Sequence, residues 1–488
     1  MSDRERLALA LLTLGVAAQF AWNAWSLPPL AGYDAAGHAG YALFVAREAQ
    51  LPEPSSGWAT FHPPAWYLAG AGVWRALEPL GPVALRIGLR AIAAFAWLAA
   101  GLLLHRALRR AGARPATAWV AIALLWLVPV NQLAVGMLGN EAFAAAWSAA
   151  CVVCVLRLQA EPRNWRAAAG AGLAAGLALA SKFTGAWVAA ACAVPFARRD
   201  LDGRGVRALA VCALAGLAVA GPVVARNLAL TGSPFPMTRT RNASVQAAEA
   251  ALSLGPRRVR DYLWLPADCL ARPSVHQLPD RPGAWSNRNP AMASVPCLAY
   301  AGLWYDPFAQ RVPIARHRDG EWLGPLLLAL GLVPTALVLV GLGVATRDLA
   351  RRRGLSAEAP LVVMTALAGA SFAGFTWVAP SLTAAKASYL MPLAAPAAVF
   401  FARAADALPH RLRAVALGLS LAAALASGLA FTSGVGALPD REHARVEADV
   451  WLRIGRSLPG SRIDEAVGIL TGATPAASRK RTKGRPKS

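Results

Sequence analysis

The sequence predicts an all-α polytopic membrane protein of about eleven transmembrane helices, with outer loops that form a small soluble cap. Of its 488 residues, 56% are hydrophobic and only 15% are charged, and its mean hydropathy is positive. Soluble domains rarely have this composition. Apolar runs long enough to cross a hydrocarbon core of about 30 Å recur along the chain, bounded by arginines, glycine or proline. The bilayer is therefore its main solvent.

Each apolar run predicts one span. The predicted spans are residues 7–25, 84–104, 116–136, 140–157, 167–181, 185–197, 206–225, 323–345, 359–379, 388–404 and 413–434. The first is interpreted as an uncleaved helix, because it lacks a small-residue cleavage site and many spans follow it. The predicted regions are a catalytic membrane core at 1–225 with its first outer loop at 26–83, a large outer loop at 226–322, C-terminal helices at 323–434 and a basic tail at 435–488.

The basic residues orient the chain. Its net charge of +23 would suggest nucleic acid in a soluble protein, but the arginines lie mostly in alternate short connections, so no nucleic-acid partner is expected. This is the positive-inside pattern, and it predicts that both long polar loops face the periplasm from the cell inner membrane. Eleven spans leave the tail outside although it ends in RKRTKGRPKS, so either one span is miscounted or the tail is disordered.

Six cysteines are too few for a disulfide scaffold. Cys269 and Cys297 share the large outer loop, and whether they pair in an oxidising compartment is left open. The C-x-x-C at 151–154 lies inside a predicted span, where helix packing is the expected role.

The first outer loop carries candidate chemistry. Asp34 and His38 are four residues apart, which places them on one face of a helix. His62 stands before two prolines that stiffen the return to the membrane. Arg86 and Arg90 mark the outer end of the second span, where guanidinium groups can bind a headgroup phosphate. Taken alone, this pair is more readily explained by snorkelling at the interface.

Further polar residues occur at other predicted outer ends. They are Asn140 and Glu141 in GNEAF, Lys182 in ASKFTG, Arg226 and Asn227 in ARNLALTGSPFP, and Lys386 and Tyr389 in AAKASYLMP. Ionisable side chains are costly in hydrocarbon, so a set that recurs at one membrane face indicates a functional site.

These segments, in this order, resemble the C-type membrane glycosyltransferases that use polyprenyl-phosphate sugars, including protein mannosyltransferases and the aminoarabinose transferase of lipid A. The resemblance runs from the first span to about residue 405 and rests on GYDAAGH, His-Pro-Pro before Trp66 and Tyr67, LRAIAAF, GNE, SKFTG and RNLALTGSPFP. The family commonly has Asp-Glu in its first outer loop, whereas here Ala35 follows Asp34. No cofactor is assigned, and the involvement of a divalent cation is left open.

The resemblance implies transfer of a hexose or pentose from an isoprenoid phosphate or diphosphate to a glycan, lipid or protein hydroxyl in the cell envelope. Asp34 is the expected general base of an inverting reaction. The cations expected to stabilise the leaving phosphate are Arg90, Lys182, Arg226 and Lys386. Trp304 and Asp306, in the large loop, are expected to contact the acceptor, unless that loop is only a cap packed on the helices.

Several alternatives are weighed against this interpretation. Asp200 and Asp202 imitate a nucleotide-sugar motif, but arginines surround them, so charge balance is expected. The glycines of 170–176 are interpreted as helix packing. A secondary transporter is disfavoured because no internal repeat is evident and the ionisable groups favour one surface. An oligosaccharide ligase or polymerase, and a noncatalytic assembly subunit, stay open.

Overall fold

The computed structural model describes residues 2–32, 34–57, 59–197, 201–236, 256–271, 293–305, 320–351, 356–380, 382–434 and 462–472. Helices make up the regular structure of these residues, and no strand occurs among them. The predicted all-α fold class is confirmed.

The described residues form eighteen α-helices. Those of the first half are α1 Asp3–Ser26, α2 Ala35–Glu48, α3 Ala65–Leu77, α4 Pro82–Arg110, α5 Pro115–Leu127, α6 Pro129–Gly136, α7 Glu141–Ala160, α8 Trp165–Ser181, α9 Ala186–Ala193 and α10 Gly203–Thr231. Those of the second half are α11 Arg260–Leu263, α12 Asp268–Ala271, α13 Val295–Trp304, α14 Gly320–Arg351, α15 Ala359–Val378, α16 Ala394–Ala407, α17 His410–Gly434 and α18 Ile463–Thr471. Short 3₁₀ helices lie at Glu78–Leu80, Phe183–Gly185, Val194–Phe196, Leu382–Ala385 and Ala387–Leu393.

The protein is a multi-pass membrane protein. In the described residues, eight helices are long and apolar enough to cross a bilayer, and α5 with α6, bent by 51° at their junction, gives a ninth. The predicted spans 167–181 and 185–197 fall on shorter segments, since α8 has 17 residues and the second is a 3₁₀, α and 3₁₀ succession. The number of eleven therefore stays a prediction.

The predicted inner connections gather at one end of the bundle, called here the basic end. Arg109, near the end of α4, lies 3.5 Å from Glu5 in the first turn of α1. Arg403 near the end of α16 pairs with Asp348 near the end of α14 and with Glu358, which precedes α15. At the basic end, helices that finish there (α4, α14 and α16) thus lie beside helices that begin there (α1 and α15). The second end of each of these helices lies at the opposite end of the bundle.

A buried arginine fixes the first loop to the bundle at that opposite end. Arg90 of α4 is fully buried and donates to the carbonyl oxygens of Ala24 at 2.7 Å, Leu27 at 3.1 Å and Pro28 at 2.5 Å. The last carbonyls of a helix have no partner within it. Arg90 therefore satisfies the end of α1 and sets the direction in which the chain leaves it.

The described part of the tail packs on the first loop. Ile463 and Leu470 of α18 are buried with the α2 and α3 side chains, and Arg86 of α4 donates to the Leu470 carbonyl at 2.7 Å. Arg462 pairs with Glu48 at the end of α2. This segment of the tail thus lies at the same end as the first loop, as an odd number of spans requires.

The cysteines carry no disulfide in the structure. The Cys269 sulfur lies 3.6 Å from the Cys297 carbonyl oxygen, so the two residues are neighbours and their pairing stays a prediction. Cys151 packs with its sulfur 3.2 Å from that of Cys192 between helices of the bundle.

Candidate active site

Asp34 lies immediately before α2 in a strained backbone conformation. Its φ of 56° and ψ of 17° are in the left-handed region, where a residue other than glycine is uncommon and often functional. Its carbonyl oxygen accepts the first hydrogen bond of α2, from the His38 amide at 3.0 Å. Its side chain is 22% exposed, and its Oδ2 is 3.9 Å from Lys386 Nζ. The predicted base and a predicted cation, far apart in the chain, therefore meet.

Lys386 owes its position to an irregular stretch before α16. It lies between the 3₁₀ helices Leu382–Ala385 and Ala387–Leu393, and its side chain is only 7% exposed. An ammonium group buried to this degree needs nearby negative charge or a polar ligand. Asp34 supplies part of that charge.

Two histidines and a tyrosine pack behind Asp34. His38 Nδ1 is 2.6 Å from the Tyr67 hydroxyl, and the His38 and His62 rings stack with centroids 5.4 Å apart. Burial lowers the pKa of His38, against the opposing effect of the Glu141 and Asp34 charges. Burial likewise holds the pKa of His62 well below its usual range and that of Tyr67 well above. All three side chains are therefore neutral near pH 7.

A buried ion pair forms the opposite wall. Glu141 is the first residue of α7, where a carboxylate is favoured by the helix dipole, and its Oε1 accepts from Lys182 Nζ at 2.8 Å. Lys182 follows α8, and its ammonium lies 5.0 Å from the centre of the Tyr389 ring. The pair has side-chain exposures of 5% and 8%. Such a pair is expensive to desolvate and is held by close geometry.

Gly139 brings these two walls together. A Cβ at this position would lie 2.8 Å from Glu141 Oε2 and 3.4 Å from His38 Cδ2. A larger residue would push the carboxylate and the imidazole apart, which gives the glycine of the GNE segment a physical reason. The polar cluster, as named here, consists of Asp34, His38, His62, Tyr67, Glu141, Lys182, Lys386 and Tyr389.

The polar cluster and the neighbouring Asn140 have unused hydrogen-bonding capacity. His38 Nε2, His62 Nδ1, Asn140 Oδ1 and Glu141 Oε2 are buried and have no hydrogen-bond partner among the described residues. Buried polar atoms of this kind normally bind a ligand or ordered water. Within the described part of the chain, no group of three His, Cys, Asp or Glu side chains converges as a metal site would require.

An apolar cavity is lined by residues that follow Lys386 in the chain. It has a volume of about 400 Å³ and lies between α5, α13, α14, α16 and the 3₁₀ helix Ala387–Leu393. Ala387, Leu390 and Met391 line it directly after Lys386 in the chain. A polar group held at Lys386 would therefore lie near an apolar cavity inside the bundle.

Other predicted site residues bind the protein itself. Arg86 and Arg90 anchor α18 and α1, as described above. Arg226 of α10 donates to the carbonyls of Leu51 at 3.3 Å and Pro52 at 2.6 Å, and so holds the first loop.

Three more residues were predicted from the sequence to belong to the site. Asn227 donates to the Pro234 carbonyl at 3.2 Å. Trp304 lines the apolar cavity and donates to Thr335 Oγ1 at 2.9 Å, away from the charged groups. Asp306 lies outside the described residues.

Sequence reasoning overlooked Tyr67 and Gly139 as individual residues. Tyr67 follows the His-Pro-Pro segment and Gly139 begins GNEAF, but only the fold brings them to His38. Tyr41 also contributes, because its ring stacks on Tyr67 with centroids 3.8 Å apart. Tyr41 and His38 lie three residues apart on α2, and this helical spacing was the one signal in the sequence that could have placed Tyr41 beside His38.

Comparison with solved structures identifies the architecture. The Archaeoglobus fulgidus oligosaccharyltransferase in complex with zinc and sulfate superposes with a TM-score of 0.52 at 18% identity, over 98% of this chain and 59% of the other. The same enzyme with an inhibitory peptide and a dolichol-phosphate gives 0.52 at 15% identity, over 100% and 62%. The chain has the C-type glycosyltransferase fold.

The chain spans about three fifths of the length of the archaeal enzyme. ArnT from Cupriavidus metallidurans, bound to undecaprenyl phosphate, is also similar, with a TM-score of 0.46 at 13% identity over 92% of this chain and 78% of the other. No family model and no curated protein matches the sequence.

Proposed function

We propose that the protein is a membrane glycosyltransferase that moves a sugar from a polyprenyl-phosphate-linked donor to an acceptor hydroxyl. The observation that carries the proposal is the meeting of Asp34 and Lys386, 3.9 Å apart, in a C-type fold in which the residue after Lys386 lines an apolar cavity. A carboxylate, a cation and a space for a lipid are what this reaction needs. They come from the first loop and from the segment before α16.

Lys386 stabilises the leaving group. When the sugar–phosphate bond breaks, negative charge grows on the lipid phosphate, and a fixed cation in a poorly hydrated site stabilises that charge strongly. Lys182 pairs closely with Glu141, at 2.8 Å. The Glu141–Lys182 pair instead keeps the wall of the site in place.

The apolar cavity holds the first isoprenoid units. Its lining combines aliphatic side chains with the aromatic faces of Tyr300 and Trp304, and it lies within the membrane-spanning helices. Burying an isoprenoid there removes apolar surface from water at roughly 25 cal/mol per Å². A phosphate at Lys386 and a tail in this cavity would fix the donor at both ends.

Asp34 acts as the general base. In the proposed step the acceptor oxygen attacks the anomeric carbon from the face opposite the phosphate, its proton passes to Asp34, and the bonding electrons of the sugar–phosphate bond leave with the lipid phosphate. The configuration of the sugar is inverted. Hydrogen bonds from sugar hydroxyls would satisfy the buried acceptors on Glu141 and Asn140.

The orientation follows from the arginines. Since the basic end is expected in the cytoplasm by the positive-inside rule, the polar cluster at the opposite end would face the periplasm of the cell inner membrane. The acceptor would then be a glycan, lipid or protein of the cell envelope.

The test uses purified protein in liposomes with a panel of synthetic polyprenyl-phosphate hexoses and pentoses, and measures release of the polyprenyl phosphate. Asp34→Asn removes the base while retaining a side chain that tolerates positive φ, and should lower turnover by about 10² to 10⁴. Glu78→Gln is the matched control. Glu78 is an outer carboxylate paired with Arg47 and remote from the cluster, so turnover should be retained.

Other outcomes would overturn the proposal. Turnover near wild type in a well-folded Asp34→Asn variant would remove the base from the mechanism. Uptake of substrate into vesicles without any sugar transfer would favour a transporter. Mass analysis of cell-envelope glycolipids in a deletion strain identifies the sugar and acceptor, and transfer of whole oligosaccharides would identify a ligase.

A further inference from the structure

A second polar cavity lies at the basic end, on the side of the bundle away from the polar cluster. It has a volume of about 690 Å³ and lies where α7 ends and where α8 and α10 begin. Its side chains include Arg157, Arg163, Arg166 and Trp165. Nothing in the proposed sugar transfer uses this cavity.

The carboxylates in its lining are already satisfied. Asp202 caps α10 by accepting from the Gly205 amide at 2.9 Å, and it pairs with Arg163 at 3.0 Å. Glu161 accepts from the Asn164 side-chain amide at 2.8 Å. These acids therefore organise the wall and neutralise Arg163.

Two arginines are left for a ligand. Among the residues that the structure describes, no carboxylate lies within ion-pair distance of Arg157 or Arg166, and both side chains are exposed. The Arg166 guanidinium lies 5.5 Å from the centre of the Trp165 ring, which is 59% exposed. A guanidinium resting on an aromatic face keeps its outward hydrogen bonds free for an anion.

The position of the cavity selects the kind of anion. α7 and α10 are membrane-spanning, so their ends lie at the depth of lipid headgroups, where tryptophan is enriched. Arginine binds phosphate through paired hydrogen bonds, and basic pockets between helices at this depth suit anionic headgroups. Pro162, Ala160 and Leu201 in the same lining offer apolar contact to the glycerol and upper acyl chain.

We propose that this cavity is a binding site for the headgroup of an anionic phospholipid, with Arg157 and Arg166 contacting its phosphate and Trp165 its glycerol region. Bound lipid would join the end of α7 to the beginnings of α8 and α10. Because α7 and α8 also carry Glu141 and Lys182 at their far ends, the lipid would stabilise the helices that support the polar cluster. The inference does not depend on the reaction that the cluster performs.

The experiment measures binding of fluorescently labelled phosphatidylglycerol to the purified full-length protein in a neutral detergent. Arg157→Gln with Arg166→Gln should weaken binding about 25-fold, since each arginine near an anionic lipid contributes roughly fivefold. Arg347→Gln with Arg411→Gln is the matched control, because both are exposed arginines of the basic end outside the cavity. It should bind like the wild type.

Competition and a conservative variant complete the test. Unlabelled phosphatidylglycerol should displace the label, whereas phosphatidylcholine and inorganic phosphate at equal concentration should not. Equal losses in both double variants would mean diffuse attraction to the basic end, and displacement by inorganic phosphate would mean a soluble-anion site; either result overturns the proposal. If the glutamine variant does not fold, Arg157→Lys with Arg166→Lys keeps the charge and should still weaken binding, and wild-type affinity there would refute paired phosphate contacts.

Discussion

The buried pair of Glu141 and Lys182 should be among the most sensitive features of the fold. Glu141 Oε1 and Lys182 Nζ are 2.8 Å apart, and the two side chains are 5% and 8% exposed, respectively. Replacing Lys182 with Met would leave the carboxylate buried without its cation, and replacing Glu141 with Gln would leave the ammonium without its anion. Removing one partner of a buried pair costs about 3–5 kcal/mol.

The double variant should be less harmful than either single change. With Glu141→Gln and Lys182→Met together, no charge is left unpaired, so the expected cost falls to about 1–2 kcal/mol for lost packing and hydrogen bonding. The Tyr389 ring next to Lys182 can pack against a methionine side chain. The interaction free energy between Glu141 and Lys182 in a double-mutant cycle is therefore predicted to be strongly stabilising.

The assay is thermal unfolding of the four proteins in one detergent, read as a double-mutant cycle. The matched control is the exposed pair of Arg163 and Asp202, with atoms 3.0 Å apart and side-chain exposures of 63% and 40%. Breaking that pair with Arg163→Gln, which leaves the Asp202 cap of α10 in place, should change the melting temperature little, because solvent already screens both charges. Additive effects of the Glu141 and Lys182 changes, or single variants as stable as the control, would refute the burial argument.

Three further predictions follow from other contacts. A chain truncated after residue 461 loses α18, and its residues 49–64 should be cleaved faster by protease than in a chain truncated after 472; equal rates would show that α18 does not support the first loop. Because the folded pKa values of His38 and His62 lie below 6.5, the unfolded chain binds more protons below that pH, so stability should fall as pH drops from about 6.5 by up to roughly 1.4 kcal/mol per unit and histidine. Melting curves between pH 5 and 8 test this, and a His38→Gln, His62→Gln variant with an unchanged slope would contradict it. Arg90→Met strips partners from three carbonyls at and just after the end of α1 and should destabilise by about 2–5 kcal/mol in denaturant unfolding, whereas an unchanged midpoint would refute its anchoring role.

The candidate site was only partly predictable. Asp34, Glu141, Lys182 and Lys386 were identified because charges at the ends of apolar runs are conspicuous. Whether such a residue faces a ligand or the protein depends on the helices around it, which a single sequence does not specify. The same reasoning therefore selected Arg90, whose terminal nitrogens are instead engaged by the end of α1.

The hydrophobic period and the arginine distribution by themselves determined that the chain is helical, crosses a membrane many times and gathers its basic residues at one end. These features depend on how each segment is solvated by lipid or water, so they can be predicted for each segment almost independently of the rest of the chain. The close approach of Asp34 to Lys386, the wedge of Gly139 between His38 and Glu141, and the docking of α18 were decided only by the tertiary structure. They depend on the angles and offsets of packed helices, which arise from the fit of many side chains at once.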